Sequence, residues 1–185
     1  LANFLGPIFL AAIILFQQAI RKALSELVQC CIWIKWRIAE QILDELIIVL
    51  MEMSRKRIGA LVVLEKNVPL GDIIERGVEI DAKFSRDLLI SIFIPETPLH
   101  DGAVIIRGEK ILAAACILPL AVGLKHRSNW GTRHRAAMGI TEESDAVAVV
   151  VSEERGSVSV AIKGKLTSSL DEIHLKRVLS KIIEK

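Results

Sequence analysis

The run Ile58-Gly59-Ala60-Leu61-Val62-Val63-Leu64, held between Arg57 and Glu65, is apolar at every position and rich in β-formers. A strand with one face in water alternates polar and apolar residues, whereas this one has no polar side to offer. It is therefore expected to be covered on both faces, which requires a sheet with other elements packed above and below it. With 185 residues, 52% of them hydrophobic, the chain can bury one substantial core.

The remaining elements follow from periodicity and turn chemistry. Trp33, Trp36, Ile38, Ile42, Leu43, Leu46, Ile47, Leu50 and Met53 recur at three- and four-residue spacing among charged residues, the pattern of an amphipathic helix. Pro69 to Gly77 reads as a loop with a short helix. Phe84 to Ile94 reads as a second helix, ended by Pro95 and Pro98. Ala103–Arg107 and Lys110–Leu118 form strands joined by the tight pair Gly108-Glu109. Pro119 to Gly131 is a loop, and Thr132 is expected to cap a helix through Ile140. Asp145–Val151 and Gly156–Ile162 make another hairpin around Arg155-Gly156, and Asp171 to Ile183 is a last helix. The fold class is α/β, with a mixed, largely antiparallel central sheet flanked by helices on both faces.

The front of the chain differs in kind. Leu1 to Phe16 carries no charge and then meets Arg21 and Lys22, which reads as a membrane helix with a basic cytoplasmic flank. The run is shorter than the roughly 20 apolar residues of a full span and contains Gly6-Pro7, so a buried helix or a signal-peptide core competes with that reading. A membrane location would leave everything after the flank in the cytoplasm, with Trp33 and Trp36 suited to a bilayer interface. The chain opens at Leu1 rather than Met, and the expectation is that earlier residues have been removed. Residues 1–35 are thus expected as a membrane remnant and residues 36–185 as the functional domain.

Charge and cysteine content narrow the function. Basic and acidic residues number 24 and 22, a balance that excludes a wrapping nucleic-acid binder, so any anion specificity must be local. Cys30 and Cys31 are adjacent and Cys116 lies alone in an apolar run, giving neither a metal-ligand spacing nor an even disulfide set. Neither Gly-x-Gly-x-x-Gly nor Gly-x-x-x-x-Gly-Lys-Ser/Thr occurs, so phosphates must be gripped in some other way.

Three polar clusters supply that way. Gly131-Thr132-Arg133-His134-Arg135 opens a helix, where free amides and the dipole favour an anion, while the two guanidiniums would oppose the dipole unless an anion is present. Asp101, in His100-Asp101-Gly102-Ala103, can hold a metal or a hydroxyl, although Asp-Gly is also a common turn pair. Ser152-Glu153-Glu154 ends a strand, and with His100 and Asp101 it offers ligands suited to Mg²⁺ or Mn²⁺ rather than zinc. Acidic pairs in hairpin turns are more often simply solvated. His126 and His174 sit among basic residues and read as surface positions.

Thr97-Pro98-Leu99-His100-Asp101-Gly102-Ala103-Val104-Ile105-Ile106, Gly131-Thr132-Arg133-His134-Arg135-Ala136-Ala137 and Val151-Ser152-Glu153-Glu154 together resemble the signature segments of the diadenylate cyclase (DAC) domain family, from about Arg55 to about Leu166. Phe16 to Leu24 resembles the end of the last of three transmembrane helices in the membrane-anchored class of these enzymes.

The resemblance implies condensation of two ATP molecules into cyclic di-AMP with release of two pyrophosphates, using Mg²⁺ or Mn²⁺. It assigns Asp101 to the ribose 3′-hydroxyl, with Gly102 and Ala103 letting the nucleotide approach the backbone. It assigns Gly131, Thr132, Arg133, His134 and Arg135 to the phosphates, Leu118 and Ile117 to the adenine slot, and Ser152, Glu153 and Glu154 to phosphate and metal, with His100 as a further metal ligand. Ile117 stands where many members carry Tyr, and Trp130 where Leu usually precedes the Gly-Thr-Arg-His-Arg segment. A two-fold symmetric product made from one ATP per domain implies a homodimer, for which a transient encounter suffices, meeting face to face at the membrane, where a membrane regulator could act. The competing class is a module that senses ATP or cyclic di-AMP without turnover; a nucleic-acid adaptor is remote.

Overall fold

The apolar run becomes the middle strand of a seven-stranded sheet. The computed structural model describes residues 40–121 and 130–183, all within the second of the two units into which the chain divides, Trp36–Lys185. In chain order the elements are α1 (Glu40–Lys56), β1 (Ala60–Leu64), α2 (Gly71–Ile74), β2 (Val78–Lys83), α3 (Arg86–Phe93), β3 (Ala103–Arg107), β4 (Lys110–Cys116), α4 (Thr132–Glu143), β5 (Val147–Val151), β6 (Val158–Ile162), β7 (Lys165–Thr167) and α5 (Glu172–Ile183). The strands lie in the order β2-β4-β3-β1-β5-β6-β7. Only β1 and β3 run parallel; every other neighbouring pair is antiparallel.

All five residues of β1 and of β5 are buried, and alternate side chains enter two separate apolar layers. Val62 and Leu64 join Leu46, Leu50 and Met53 of α1, Leu89 and Phe93 of α3, and Leu175 and Leu179 of α5. Leu61 and Val63 join Ala137, Met138 and Ile140 of α4, with Leu70 just ahead of α2. Helices therefore cover both faces, as the continuous apolar strand requires.

Two strands escape the sequence reading. In β2, Val78, Ile80 and Ala82 alternate with Glu79, Asp81 and Lys83, the period-2 signature of an edge strand. The three-residue β7 is too short to leave a periodic signal. Strand β4 ends at Cys116, so Leu118 lies in the following loop. Gly131, not Thr132, takes the extended N-cap position of α4, and no side chain caps that helix.

No helix among the described residues is long and apolar enough to cross a membrane. The apolar opening Leu1–Phe16, its flank Arg21-Lys22, the aromatic pair Trp33 and Trp36, the Cys30-Cys31 pair and His126 lie outside the described residues. Cys116 is buried, and burial pushes its thiol up to about 11, so it remains protonated and unreactive.

At the end of the sheet where β1 and β3 finish, Glu65 is buried and takes Arg107 in a two-point pair, Nε to Oε1 at 2.5 Å and Nη2 to Oε2 at 2.8 Å. Its Oε2 also accepts the amide of Leu70 at 3.1 Å, fixing the entry to α2. Removing the cation would leave a buried carboxylate uncompensated. Arg107→Ala is expected to lower stability by about 3 kcal/mol in urea unfolding, well above the effect of breaking an exposed pair such as Lys56–Glu52.

Candidate nucleotide site

Because β1 and β3 are parallel and β5 runs against β1, the segment before β1, the segment before β3 and the turn after β5 emerge at one end of the sheet. The first turn of α4 joins them there. Arg133 ties three of these segments together. Its Nη1 donates to Glu153 Oε2 at 2.7 Å, and its Nη2 donates to the carbonyl of His100 at 3.5 Å, the carbonyl of the peptide that leads into Asp101. A Cβ on Gly59 would lie 2.7 Å from that Glu153 oxygen and 2.8 Å from Arg133 Nη1, so the bare backbone before β1 is the floor on which the pair rests. The Arg133 Nε is buried and has no hydrogen-bond partner.

Asp101 is exposed. It follows a tightly hydrogen-bonded turn in which Thr97 Oγ1 donates to the carbonyls of Ile92 and Ile94 at 2.8 and 2.9 Å, and His100 Nδ1 lies 2.5 Å from the Thr97 carbonyl. Gly102 has φ +134°, and a Cβ there would lie 2.6–2.9 Å from the backbone of Ala115 and Cys116. The atoms that exclude a side chain at Gly102 belong to β4, so the sheet itself requires the missing Cβ there. That strand carries an extra residue opposite Ala103–Ile105, with Ala115 at φ 52°, and the resulting bulge receives Gly102 and re-aims the chain at Asp101.

The two arginines of α4 are placed differently. Residues two apart on a helix point roughly 200° away from each other, and the structure shows Arg133 in the site while Arg135 is exposed and absent from the cavity lining. His134, between them, is half-buried; burial and then the nearby Arg155 hold its imidazole below the ordinary 6.5, with Glu154 opposing. At neutral pH it offers a neutral N–H or lone pair rather than positive charge.

Arg133 and His134 open onto a cavity of ≈ 350 Å³ whose lining also includes Trp130, Ser152, Glu153 and Glu154, while His100 and Asp101 are not among the residues that line it. Ser152 Oγ accepts the amide of Arg155 at 3.3 Å, and the turn is anchored to α1 by a hydrogen bond from Ser54 Oγ to the Gly156 carbonyl. Leu118 is buried in the α4-side core and Ile117 is 75% exposed, so the two expected adenine neighbours differ sharply in access. Among the described residues, no three His, Cys, Asp or Glu side chains are placed to hold a metal ion together. His100, Asp101 and Glu154 are accordingly not a preformed cage. A hard divalent cation that keeps few protein ligands and binds mainly through substrate phosphates is the kind this donor set can serve. The sequence reading missed Gly59, Arg155 and the serines beyond it; a glycine opening an apolar strand was the available signal for the first.

The DAC family model, described as DisA bacterial checkpoint controller nucleotide-binding, matches residues 47–166. The chain belongs to this family. It is 44% identical over 176 residues to the cyclic di-AMP synthase CdaA of Bacillus subtilis, covering 92% of this chain and 64% of that protein. It is 42% identical over 178 residues to a diadenylate cyclase of Listeria monocytogenes, covering 94% of this chain and 65% of that protein. The chain therefore spans just under two thirds of these curated relatives. A crystal structure of a double-cysteine mutant of DacA from Staphylococcus aureus superposes with a TM-score of 0.76 at 45% identity, covering 79% of this chain and 97% of that one. A hypothetical membrane-spanning protein from Bacillus cereus follows at a TM-score of 0.66 and 42% identity, covering 69% of this chain and 62% of that one. His100, Arg133 and Glu153, which meet through the Arg133 guanidinium, all lie within the matched range.

Two outcomes are expected of the site. Gly102→Ala should destabilise the fold by at least about 1–3 kcal/mol, because a positive φ and a backbone contact oppose the new methyl group together; thermal unfolding would show it. For His134, the unfolded imidazole titrates near 6.5 and the folded one below it, so the unfolded chain binds more protons in the window just under 6.5. Stability should rise with pH through that window and be lost as pH falls through it, and urea unfolding of His134→Asn between about pH 5.5 and 7 should show a flatter slope.

Proposed function

We propose that this chain is a diadenylate cyclase domain that condenses two ATP molecules into cyclic di-AMP and releases two pyrophosphates. The observation that carries this reading is the Arg133 contact. One guanidinium reaches the peptide of Asp101 and the carboxylate of Glu153, so the family's three motifs form one site rather than three surface features.

In each half-reaction a ribose 3′-oxygen attacks the α-phosphorus of the opposite ATP, and the bond to the bridging oxygen breaks with its electron pair leaving on pyrophosphate. Asp101, exposed, orients the 3′-hydroxyl and takes its proton. Arg133 and the N-terminus of α4 hold the phosphates, its unpartnered Nε supplying a donor already stripped of water. His134 contributes a neutral hydrogen bond, and Ser152 shapes the turn that carries Glu153 and Glu154. Leu118 and Ile117 form the base-binding edge, and exposed Arg135 is left to meet charge outside the cavity. A divalent cation, Mg²⁺ or Mn²⁺, would neutralise the phosphates, with Asp101 or Glu154 as its protein ligand.

A site holding one nucleotide with its acidic group at the surface needs a second copy to present the other ATP, so the working unit is a homodimer whose twin sites face each other. Residues 1–35 would anchor the domain at the cell membrane with its catalytic part in the cytoplasm, raising the encounter rate. Asp101→Asn is expected to cut cyclic di-AMP formation at least a hundredfold, and Arg133→Ala to raise the KM for ATP more than tenfold. Incubation with ATP and Mn²⁺ followed by chromatography reads both; ATP binding with no cyclic di-AMP from the unmutated protein would make it a sensor instead.

A further inference from the structure

The turn after β5 carries Glu153 and Glu154, yet it has no apolar side chain to hold it against the core. Ser152-Glu153-Glu154-Arg155-Gly156-Ser157 is polar or bare at every position, and each of these residues is half-buried or exposed. Its internal bonds, from the Gly156 N–H to the Ser152 carbonyl at 2.8 Å and from the Ser152 N–H to the Ser157 carbonyl at 3.0 Å, close the turn on itself. Among the described residues, two hydrogen bonds tie it to other elements. One is the Arg133–Glu153 contact on the cavity side. The other comes from behind, where Ser54 Oγ, in the last turn of α1, donates to the Gly156 carbonyl.

The end of α1 is shaped to receive that turn. Arg57 is left-handed at φ 55°, its N–H returns to the Ser54 carbonyl at 3.2 Å, and the Ile58 N–H returns to the Met53 carbonyl at 2.9 Å, which together make a Schellman cap. The cap fixes the Ser54 peptide. Gly156, at φ +68°, packs so closely on it that a Cβ there would lie 2.6 Å from the Ser54 carbonyl oxygen. Ser54 thus meets the turn with both side chain and backbone, 102 residues away in sequence, and it is not among the residues that line the cavity. We infer that Ser54 is a positioning residue, which clamps the back of the turn so that Glu153 meets Arg133 in one place and the guanidinium is held ready for phosphate. The inference rests on the nucleotide reading given above and deepens it. Without the hydroxyl the hairpin remains, but the turn loses the tie opposite Glu153, and ordering the Arg133 fork becomes a cost of binding ATP.

The test is steady-state kinetics of the full chain with ATP and Mn²⁺, with cyclic di-AMP measured by chromatography. Ser54→Ala is expected to raise the KM for ATP about fivefold and to change kcat by less than about twofold, and Ser54→Thr, which keeps the hydroxyl, to restore the KM. Because Ser54 acts through Glu153, adding Ser54→Ala to Glu153→Ala should raise the KM by less than about twofold more. Ser85→Ala serves as the control for stability alone. It removes the side-chain N-cap of α3, beside the β3–β4 hairpin at the other end of the sheet, and should leave the KM as it is. An unchanged KM in Ser54→Ala, an equal rise in the Glu153→Ala background, no rescue by threonine, or the same rise in Ser85→Ala overturns the positioning role; the nucleotide reading then stands, since the unmutated protein still makes product. An unmutated protein that makes no cyclic di-AMP overturns the nucleotide reading, and the positioning role falls with it.

Discussion

One half-buried guanidinium organises the functional end of this protein. Arg133 is held by Glu153 and by the carbonyl before Asp101, and it rests on the bare backbone of Gly59. Arginine suits this position because its planar fork can keep two partners and still present a third donor, whereas a lysine ammonium has no fixed geometry. The Glu153 contact also has a functional side. The carboxylate supplies the counter-charge that a partly desolvated cation needs; in the proposed reaction an incoming phosphate would compete with it for the same nitrogen atoms.

The scaffold makes this arrangement possible by spending its regularity next to the site. The β4 bulge, the positive φ values at Gly102 and Ala115 and the tight turn through Thr97 all fall beside Asp101. The opposite end of the sheet is pinned by the buried Glu65–Arg107 pair and by Asp145, whose carboxylate accepts the amides of Asn67 and Val68 at 3.2 and 3.0 Å. The two apolar layers fix the strands while the backbone departs from regularity beside Asp101. Such backbone irregularity beside a carboxylate is a usual way of holding it in one place.

Much of this was legible along the chain. The continuous apolar β1, the stripe that became α1 and the hairpin joined by Gly108-Glu109 all report burial, and burial follows from residue type and spacing. The edge strand β2 went unread, although Val78, Ile80 and Ala82 alternate there with Glu79, Asp81 and Lys83. Less could be read of the site. That Arg133 enters it while Arg135 stays outside follows from helical geometry once the helix start is fixed at Gly131. Ser54, by contrast, looks like any polar residue in a helix, and Gly59 like any residue of an apolar strand.

The sequence by itself determined that a sheet would be buried on both faces and that acidic, basic and hydroxyl-bearing clusters would sit where strands and helices begin or end, because hydrophobic periodicity and turn chemistry act between near neighbours. Only the tertiary structure decided which of those clusters meet. Gly59, His100, Arg133 and Glu153 are brought together by strand order and by one parallel pairing in an otherwise antiparallel sheet. Those pairings depend on contacts between residues far apart in the chain, and no local pattern encodes them.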